Sequence, residues 1–243
     1  MKRHSISNNG RIIEFEVVHR PRVTRCIHLE LAAHGALQVV APRRMSKRVI
    51  QATMQDWANY VARFLQEARA QQQDIPVFRY VSGEHHLFMG QSYPLHLQAA
   101  AGQRASVELA DGCIRIVAPG SSPEDIRARL MDWYRRQAGI HFSERLAAFS
   151  QAASWTGGKS PVMRLRLMKR TWGTCSSKGV ITLNPHLVKA PAGSIDYVIA
   201  HEICHLKQHN HGKGFYALQE RLYPDWREAK AHLRNRGHVY LHV

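Results

Sequence analysis

The segment His201-Glu202-Ile203-Cys204-His205 puts two imidazoles four residues apart, with a carboxylate beside the first. On an α-helix, at 100° per residue, His205 lies about 40° around the axis from His201 and Glu202 about 100°. All three side chains then project from one side. Two imidazoles at this spacing can hold one Zn²⁺ at ~2.0–2.1 Å, and the neighbouring carboxylate can reach a water on that ion. The ion lowers the pKa of the water toward ~7, and the carboxylate takes its proton as it attacks a carbonyl. The chemistry available to such a set is metal-assisted amide hydrolysis. With 16 His and 11 Glu in 243 residues, chance gives the five-residue pattern roughly 0.05 times per chain. Demanding a further His six positions on, as at His211, lowers this to roughly 0.003. Histidines that merely decorate a helix surface are the weaker reading.

A catalytic zinc takes three protein ligands and keeps a fourth position open. His211 is the leading candidate for the third, provided that the helix ends near Gln208–Asn210 and the chain reverses. Asn tolerates the left-handed conformation of a helix stop, and Gly212 and Gly214 loosen the chain beyond it. Glu220 ranks second, on a following helix that runs through Phe215, Leu218 and Leu222. His209, at i+4 from His205, would continue along the same straight face and ranks below both. The histidine spacing matches that of metzincins, but their turn glycine would fall at Gln208, so that pattern does not apply. Cys204 faces away from the ligand side and reads as core. Cys175 has no ordered His and acid to make a thiol protease. His85 and His86 are neighbours in a strand-like region, where they point to opposite faces and are poorly placed to share a metal. For a donor to a developing oxyanion, Tyr216, Arg170 and Lys178 are candidates.

The site helix is expected to start after the breaker Pro191-Ala192-Gly193, with Ser194 as its cap. Upstream, Val162–Met168 and Val180–Leu183 read as strands flanking Trp172–Gly179. Ser122-Pro123-Glu124-Asp125 is a strong helix start, and that helix is expected to run to about Phe149. In the first third, Arg11–Val18, Cys26–Leu31 and Leu37–Ala41 alternate as strands of an antiparallel meander. Ser46 then caps one long helix whose stripe is Ile50, Met54, Trp57, Val61, Phe64, Leu65 and Ala68. Further strands are expected near Phe78–Val81, His86–Met89, Tyr93–Leu97, Ser106–Leu109 and Cys113–Val117. No internal repeat is visible. The expected fold class is α+β, with a β-rich region over 1–121 carrying one long helix and a helical region over 122–243, together one continuous unit.

Composition narrows the function classes. With 44% apolar and 21% charged residues the chain is a folded protein, neither disordered nor a disulfide-stapled miniprotein. Four dispersed cysteines read as reduced intracellular thiols. The N-terminus lacks the apolar run of a secretory signal, and no stretch approaches the ~18 apolar residues of a membrane span. A cytoplasmic protein with no membrane partner is expected; its oligomeric state is not legible. The net charge is +16, from 34 Lys+Arg against 18 Asp+Glu. Residues 145–195 hold eight Lys/Arg and no Asp/Glu. Such a field attracts nucleic acid, anionic lipid or acidic protein, or is simply a soluble basic surface.

Trp172-Gly173-Thr174-Cys175-Ser176-Ser177-Lys178-Gly179, then Ile181 and Leu183-Asn184, then Ile195–Val198 running into His201–His205, resembles the YgjP-like metallopeptidase family. Asn210-His211 with Phe215, and Pro224-Asp225-Trp226 before a terminal helix, extend the likeness. It spans nearly the whole chain, through Arg20–Arg25, Ala41-Pro42 and Phe78–Tyr93. Departures are Thr174, where the family commonly has Ser, and Gly212 after His211 in place of Ser. The resemblance implies a gluzincin-like α+β peptidase fold with a zincin-like helical core, its site related to SprT-like proteases. It also implies one catalytic Zn²⁺ held by His201, His205 and His211, with Glu202 as general base. The expected function is a zinc metallopeptidase acting on protein or peptide. Two alternatives stand beside it. One is a DNA-associated protease recruited to nucleic acid by its basic surface. The other is a non-catalytic zinc-binding module, which the presence of Glu202 disfavours.

Overall fold

Three two-residue loops set the strand architecture. Asn9-Gly10, Met89-Gly90 and Asp111-Gly112 all have positive φ at both positions, from 47° to 80°. This is the turn whose twist matches antiparallel strands, and it favours Asn or Asp followed by Gly. The computed structural model describes residues 3–20, 26–32, 36–73, 77–102, 104–120 and 122–242. The chain divides into two compact units, residues 1–74 and 75–243.

In the first unit, Asn9-Gly10 joins β1 (Arg3–Asn8) to β2 (Arg11–His19); β3 (His28–Leu31) and β4 (Leu37–Ala41) come next. The sheet order is β1-β2-β4-β3, with β2 and β4 parallel. It is therefore a mixed sheet, in place of the expected antiparallel meander. Alternation identifies a strand but does not name its neighbour. Ser46 caps α1 (Lys47–Asp56), its Oγ accepting the Val49 amide at 3.3 Å. The expected single helix breaks at Trp57 (φ −91°, ψ 11°), and α2 (Ala58–Gln73) continues the chain. Ile50, Met54 and Val61 still share one buried face, packed with Ile6, Phe15 and Val39.

The second unit opens with the same topology. Its strands β5 (His85–Phe88), β6 (Gln91–Ala99), β7 (Ser106–Ala110) and β8 (Cys113–Ala118) take the order β5-β6-β8-β7. Again the outer pairs are antiparallel and the central pair parallel. Both sheets end at Ala-Pro, Ala41-Pro42 and Ala118-Pro119, and both lead into a serine-capped helix. The fold thus contains a structural repeat whose sequence trace is little more than Val39-Val40-Ala41-Pro42 against Ile116-Val117-Ala118-Pro119. Phe78–Val81, expected as a strand, forms none.

Helix α3 (Pro123–Ala152) starts as its sequence requires: Ser122 Oγ accepts the Asp125 amide at 3.2 Å, and proline stands at the first position. The strand-to-helix change expected at 121/122 lies inside this unit, between β8 and α3. Ile126, Leu130, Trp133, Tyr134, Ala138, Phe142 and Leu146 make α3 the spine of the larger core. On it lies a small sheet, β10-β11-β9, built from β9 (Met163–Leu165), β10 (Gly173–Cys175) and β11 (Ile181–Leu183). A tight turn, Pro185–Lys189, leads to α4 (Ala192–His205), α5 (Lys213–Leu222) and α6 (Trp226–Tyr240). The α+β class holds.

Gly90 ties the β5–β6 hairpin to the start of α4. Its amide donates to the Lys189 carbonyl at 3.0 Å. A β-carbon placed there would lie 2.9 Å from Pro191 Cα, at a φ of +80° that side chains rarely adopt. Gly90→Ala should therefore cost about 1–3 kcal/mol of stability in urea unfolding. A loss below about 0.5 kcal/mol would mean that this turn does not hold α4 in place.

Candidate metal centre

Helix α4 begins one turn earlier than the expected serine cap. Pro191 is the residue before its first turn, and the Pro191 carbonyl accepts the amides of Ser194 and Ile195 at 2.9 and 3.2 Å. Ser194 is buried inside that turn, so its hydroxyl does not cap the helix. Ile195, Val198, Ile199, Ile203 and Cys204 fill the core side of α4. Their burial leaves His201 and His205 on the opposite side, with Glu202 turned inward at 4% exposure.

The helix stops at His205. The Leu206 amide donates to the Ile203 carbonyl at 3.1 Å, and the amides of Lys207 and Gln208 both reach the Cys204 carbonyl. The Trp155 indole N–H donates to the same Ile203 carbonyl at 3.0 Å. His205 Nδ1 lies 3.0 Å from the Gln208 carbonyl, which can only accept, so Nδ1 carries the proton and Nε2 keeps its lone pair. The chain then reverses and returns His211 to the helix.

One potential ligand atom from each of His201, His205 and His211 lies within 4.8 Å of the others. No other group of three or more His, Cys, Asp or Glu side chains is so arranged among the described residues. His201 Nε2 and His211 Nε2 are 3.0 Å apart. Two nitrogens bound to one tetrahedral zinc at ~2.0–2.1 Å would be separated by about 3.3 Å, so the pair needs little movement to share an ion. Phe215, fully buried, backs all three rings at centroid distances of 4.6–4.8 Å. Glu220 stands apart: its Oε2 accepts the Trp226 indole at 2.8 Å and the Arg227 guanidinium at 2.7 Å. His209 is exposed and outside the cluster.

Desolvation sets the charge states here. Burial first, then the His205 and His211 imidazoles, push the His201 pKa down to about 3. Burial likewise lowers that of His205. Both rings are thus neutral near pH 7, the form that binds a metal. Burial alone pushes the Glu202 carboxyl up to about 8. Its Oε2 has no hydrogen-bond partner. The opposite face of this carboxylate meets β10: a β-carbon at Gly173 would sit 2.7 Å from Glu202 Oε1 and 2.8 Å from its Cγ. Three converging imidazoles, two of them held neutral by burial, are a donor set that fits a divalent cation of the Zn²⁺ type, and the residue after His201 carries a buried carboxylate with an orphaned oxygen.

Several neighbours were not legible as site residues. Tyr197, one turn before His201, approaches its ring at 5.7 Å. Gln219, fully buried, lies against His201. Nothing in local spacing announces Trp155, whose role depends on long-range packing. Tyr216 stacks on Trp226 at 5.4 Å, with its ring 6.4 Å from that of His211. Cys204 is fully buried and Cys175 half-buried, and burial pushes their thiols up to about 12 and about 11. His86 is buried against Glu84 (2.8 Å) and His85 meets Ser92 (3.1 Å), so the pair shares no site. Of the eight cations in 145–195, Lys189 is buried and Arg145 faces Asp196 at 3.5 Å. Lys159, Arg164, Arg166, Lys169, Arg170 and Lys178 lie on the surface.

A family model described as YgjP-like, metallopeptidase domain, matches residues 25–236. Among solved structures, the chain is similar to the crystal structure of the metallopeptidase zymogen of Pyrococcus abyssi abylysin. The two are 26% identical over 39% of this chain and 91% of that one, with a TM-score of 0.32. No curated protein matches the chain.

Substitution separates the two candidates for third ligand. His211→Ala should lower Zn²⁺ affinity at least about 100-fold in competition with a chromophoric chelator, and Glu220→Ala should leave it unchanged. The reverse pattern would exclude the triad.

Proposed function

The chain belongs to the YgjP-like metallopeptidase family, and from that premise we propose a zinc-dependent peptidase with His201, His205 and His211 as ligands and Glu202 as general base. The observation that carries this reading is the convergence of three imidazoles, the first of them next in sequence to a buried carboxylate with an unpartnered oxygen. Neutral imidazoles suit Zn²⁺, and three of them leave a fourth position open. A bound Zn²⁺ supplies Lewis acidity, which acidifies water and polarises a carbonyl.

The protein's own groups do the rest. Glu202, with its proton affinity raised by burial, is tuned close to neutrality, where taking and returning a proton is most efficient. It accepts the proton of the attacking water and delivers it to the leaving amine. Phe215 excludes water from one side of the imidazoles. Gly173, lacking a β-carbon, lets β10 lie directly on Glu202. Strand β10 is the edge of its sheet, so an extended peptide can add to it through main-chain hydrogen bonds and pass beside the carboxylate. The substrate class is protein or peptide. The four unpaired thiols suit a reducing compartment and support the reading of a cytoplasmic enzyme. No described helix is long and apolar enough to cross a membrane.

Glu202→Gln tests the reading. The variant should retain one Zn²⁺ per chain by elemental analysis and cleave an unfolded protein at least about 100-fold more slowly than wild type. Chelation should abolish wild-type cleavage, and added Zn²⁺ should restore it. Cleavage that survives the substitution would remove Glu202 from the mechanism.

A further inference from the structure

Gln219 is one of the least accessible polar side chains in the protein, at 0% exposure. Neither its Oε1 nor its Nε2 makes a well-directed hydrogen bond. A buried amide left in that state costs stability, on the order of 1–3 kcal/mol, unless something else requires it. It lies on α5 one turn after Phe215, on the same face, and Phe215 packs on His201 at a ring distance of 4.8 Å. The amide itself lies against the His201 ring.

The other ring contacts of His201 say which nitrogen is left for it. Nε2 of His201 faces His211 Nε2 at 3.0 Å, so Nδ1 is the atom available to Gln219. His205 already shows the same division of labour: its Nδ1–H is held by the Gln208 carbonyl, leaving Nε2 for the cluster. Imidazoles that bind a metal are generally held in this way through the second nitrogen, and loss of the outer partner typically costs about 10–100-fold in metal affinity.

Resting on the reading of His201 as a ligand, we propose that Gln219 is its positioning residue. Its Oε1 accepts the Nδ1–H, fixes the tautomer with the lone pair on Nε2, and aims that lone pair at the metal. His205 takes this support from the backbone, which no substitution of that carbonyl's side chain removes. His201 takes it from a side chain and is therefore open to test.

The test compares wild type, Gln219→Met, Gln219→Glu and His201→Ala. Methionine matches glutamine in size, is apolar and lacks the acceptor. A purely structural glutamine would tolerate it, because the exchange removes an unsatisfied amide from the core. Gln219→Met should melt no lower than wild type without metal, yet bind Zn²⁺ about 10–100-fold more weakly by chelator competition. Gln219→Glu, which keeps an acceptor, should bind Zn²⁺ at least as tightly as wild type. In the metal-free protein, long-range proton–nitrogen NMR should find His201 protonated on Nδ1 in wild type and on a mixture of nitrogens in Gln219→Met. Equal Zn²⁺ affinity and an unchanged tautomer in Gln219→Met would overturn the positioning role and leave the triad standing. Wild type and His201→Ala binding Zn²⁺ alike would instead remove the triad, and with it this proposal.

Discussion

The carbonyl of Ile203 receives two donors, the Leu206 amide at 3.1 Å and the Trp155 indole at 3.0 Å. An α-helix leaves its last four carbonyls without intrahelical partners, and a helix that ends inside a protein must find others for them. Here the partners are a tightened last turn and a tryptophan from the segment after α3. The stop has a direct chemical consequence. Had α4 continued, His211 would lie about 240° around the axis from His205, on its far side. Because the helix ends on His205, the next six residues can turn back, and the ring nitrogens of His201 and His211 come within 3.0 Å. The three imidazoles meet because the chain between the second and the third is not helical.

Desolvation then acts on the cluster with opposite signs. It drives protons off the imidazoles of His201 and His205 and onto the carboxyl of Glu202. Both changes put the groups in neutral forms, which is the least costly way to bury them. Neutral imidazoles retain the lone pairs that a cation needs. A carboxyl so placed gains a reason to ionise only when positive charge arrives beside it. The packing that achieves this is ordinary: Phe215 behind the rings, Gly173 against the carboxylate, and the apolar side of α4 in the core. In the proposed centre, apolar burial matters as much as the three imidazoles.

Much of this was legible in the chain because it is local. The i, i+4 spacing of His201 and His205 encodes a shared helix face. Ser122-Pro123 encodes the start of α3. The reversal that returns His211 does not use the expected left-handed Asn210 or a glycine-only conformation at Gly212, whose φ is −87°. What escaped was non-local. The parallel pairing of β2 with β4 arises from a crossover that alternation does not record. Trp57 belongs to the apolar stripe of one continuous helix by spacing, yet the helix breaks there and the side chain is exposed. The Asn9-Gly10 turn is a strong hairpin signal and could have revealed β1, whose own alternation is short and polar. The repeated four-strand topology of the two units survives in sequence only as an Ala-Pro and a capping serine. Strand order is kept by pairing geometry, which many sequences satisfy. Gln219 joined the site only when α5 was packed against α4.

The +16 charge that dominates the composition plays no visible part in the cluster. Six exposed cations of the 145–195 stretch lie outside it, and Lys189 is spent inside the fold, donating to the carbonyls of Tyr240 and His242. The centre is set by ligand type, helix ending and burial. Zinc K-edge X-ray absorption on the metal-loaded protein measures that ligand set directly. Three imidazoles and one light oxygen donor at about 2.0–2.1 Å are the predicted shell. A sulfur scatterer at about 2.3 Å would bring Cys175 or Cys204 into the coordination sphere and contradict the assignment.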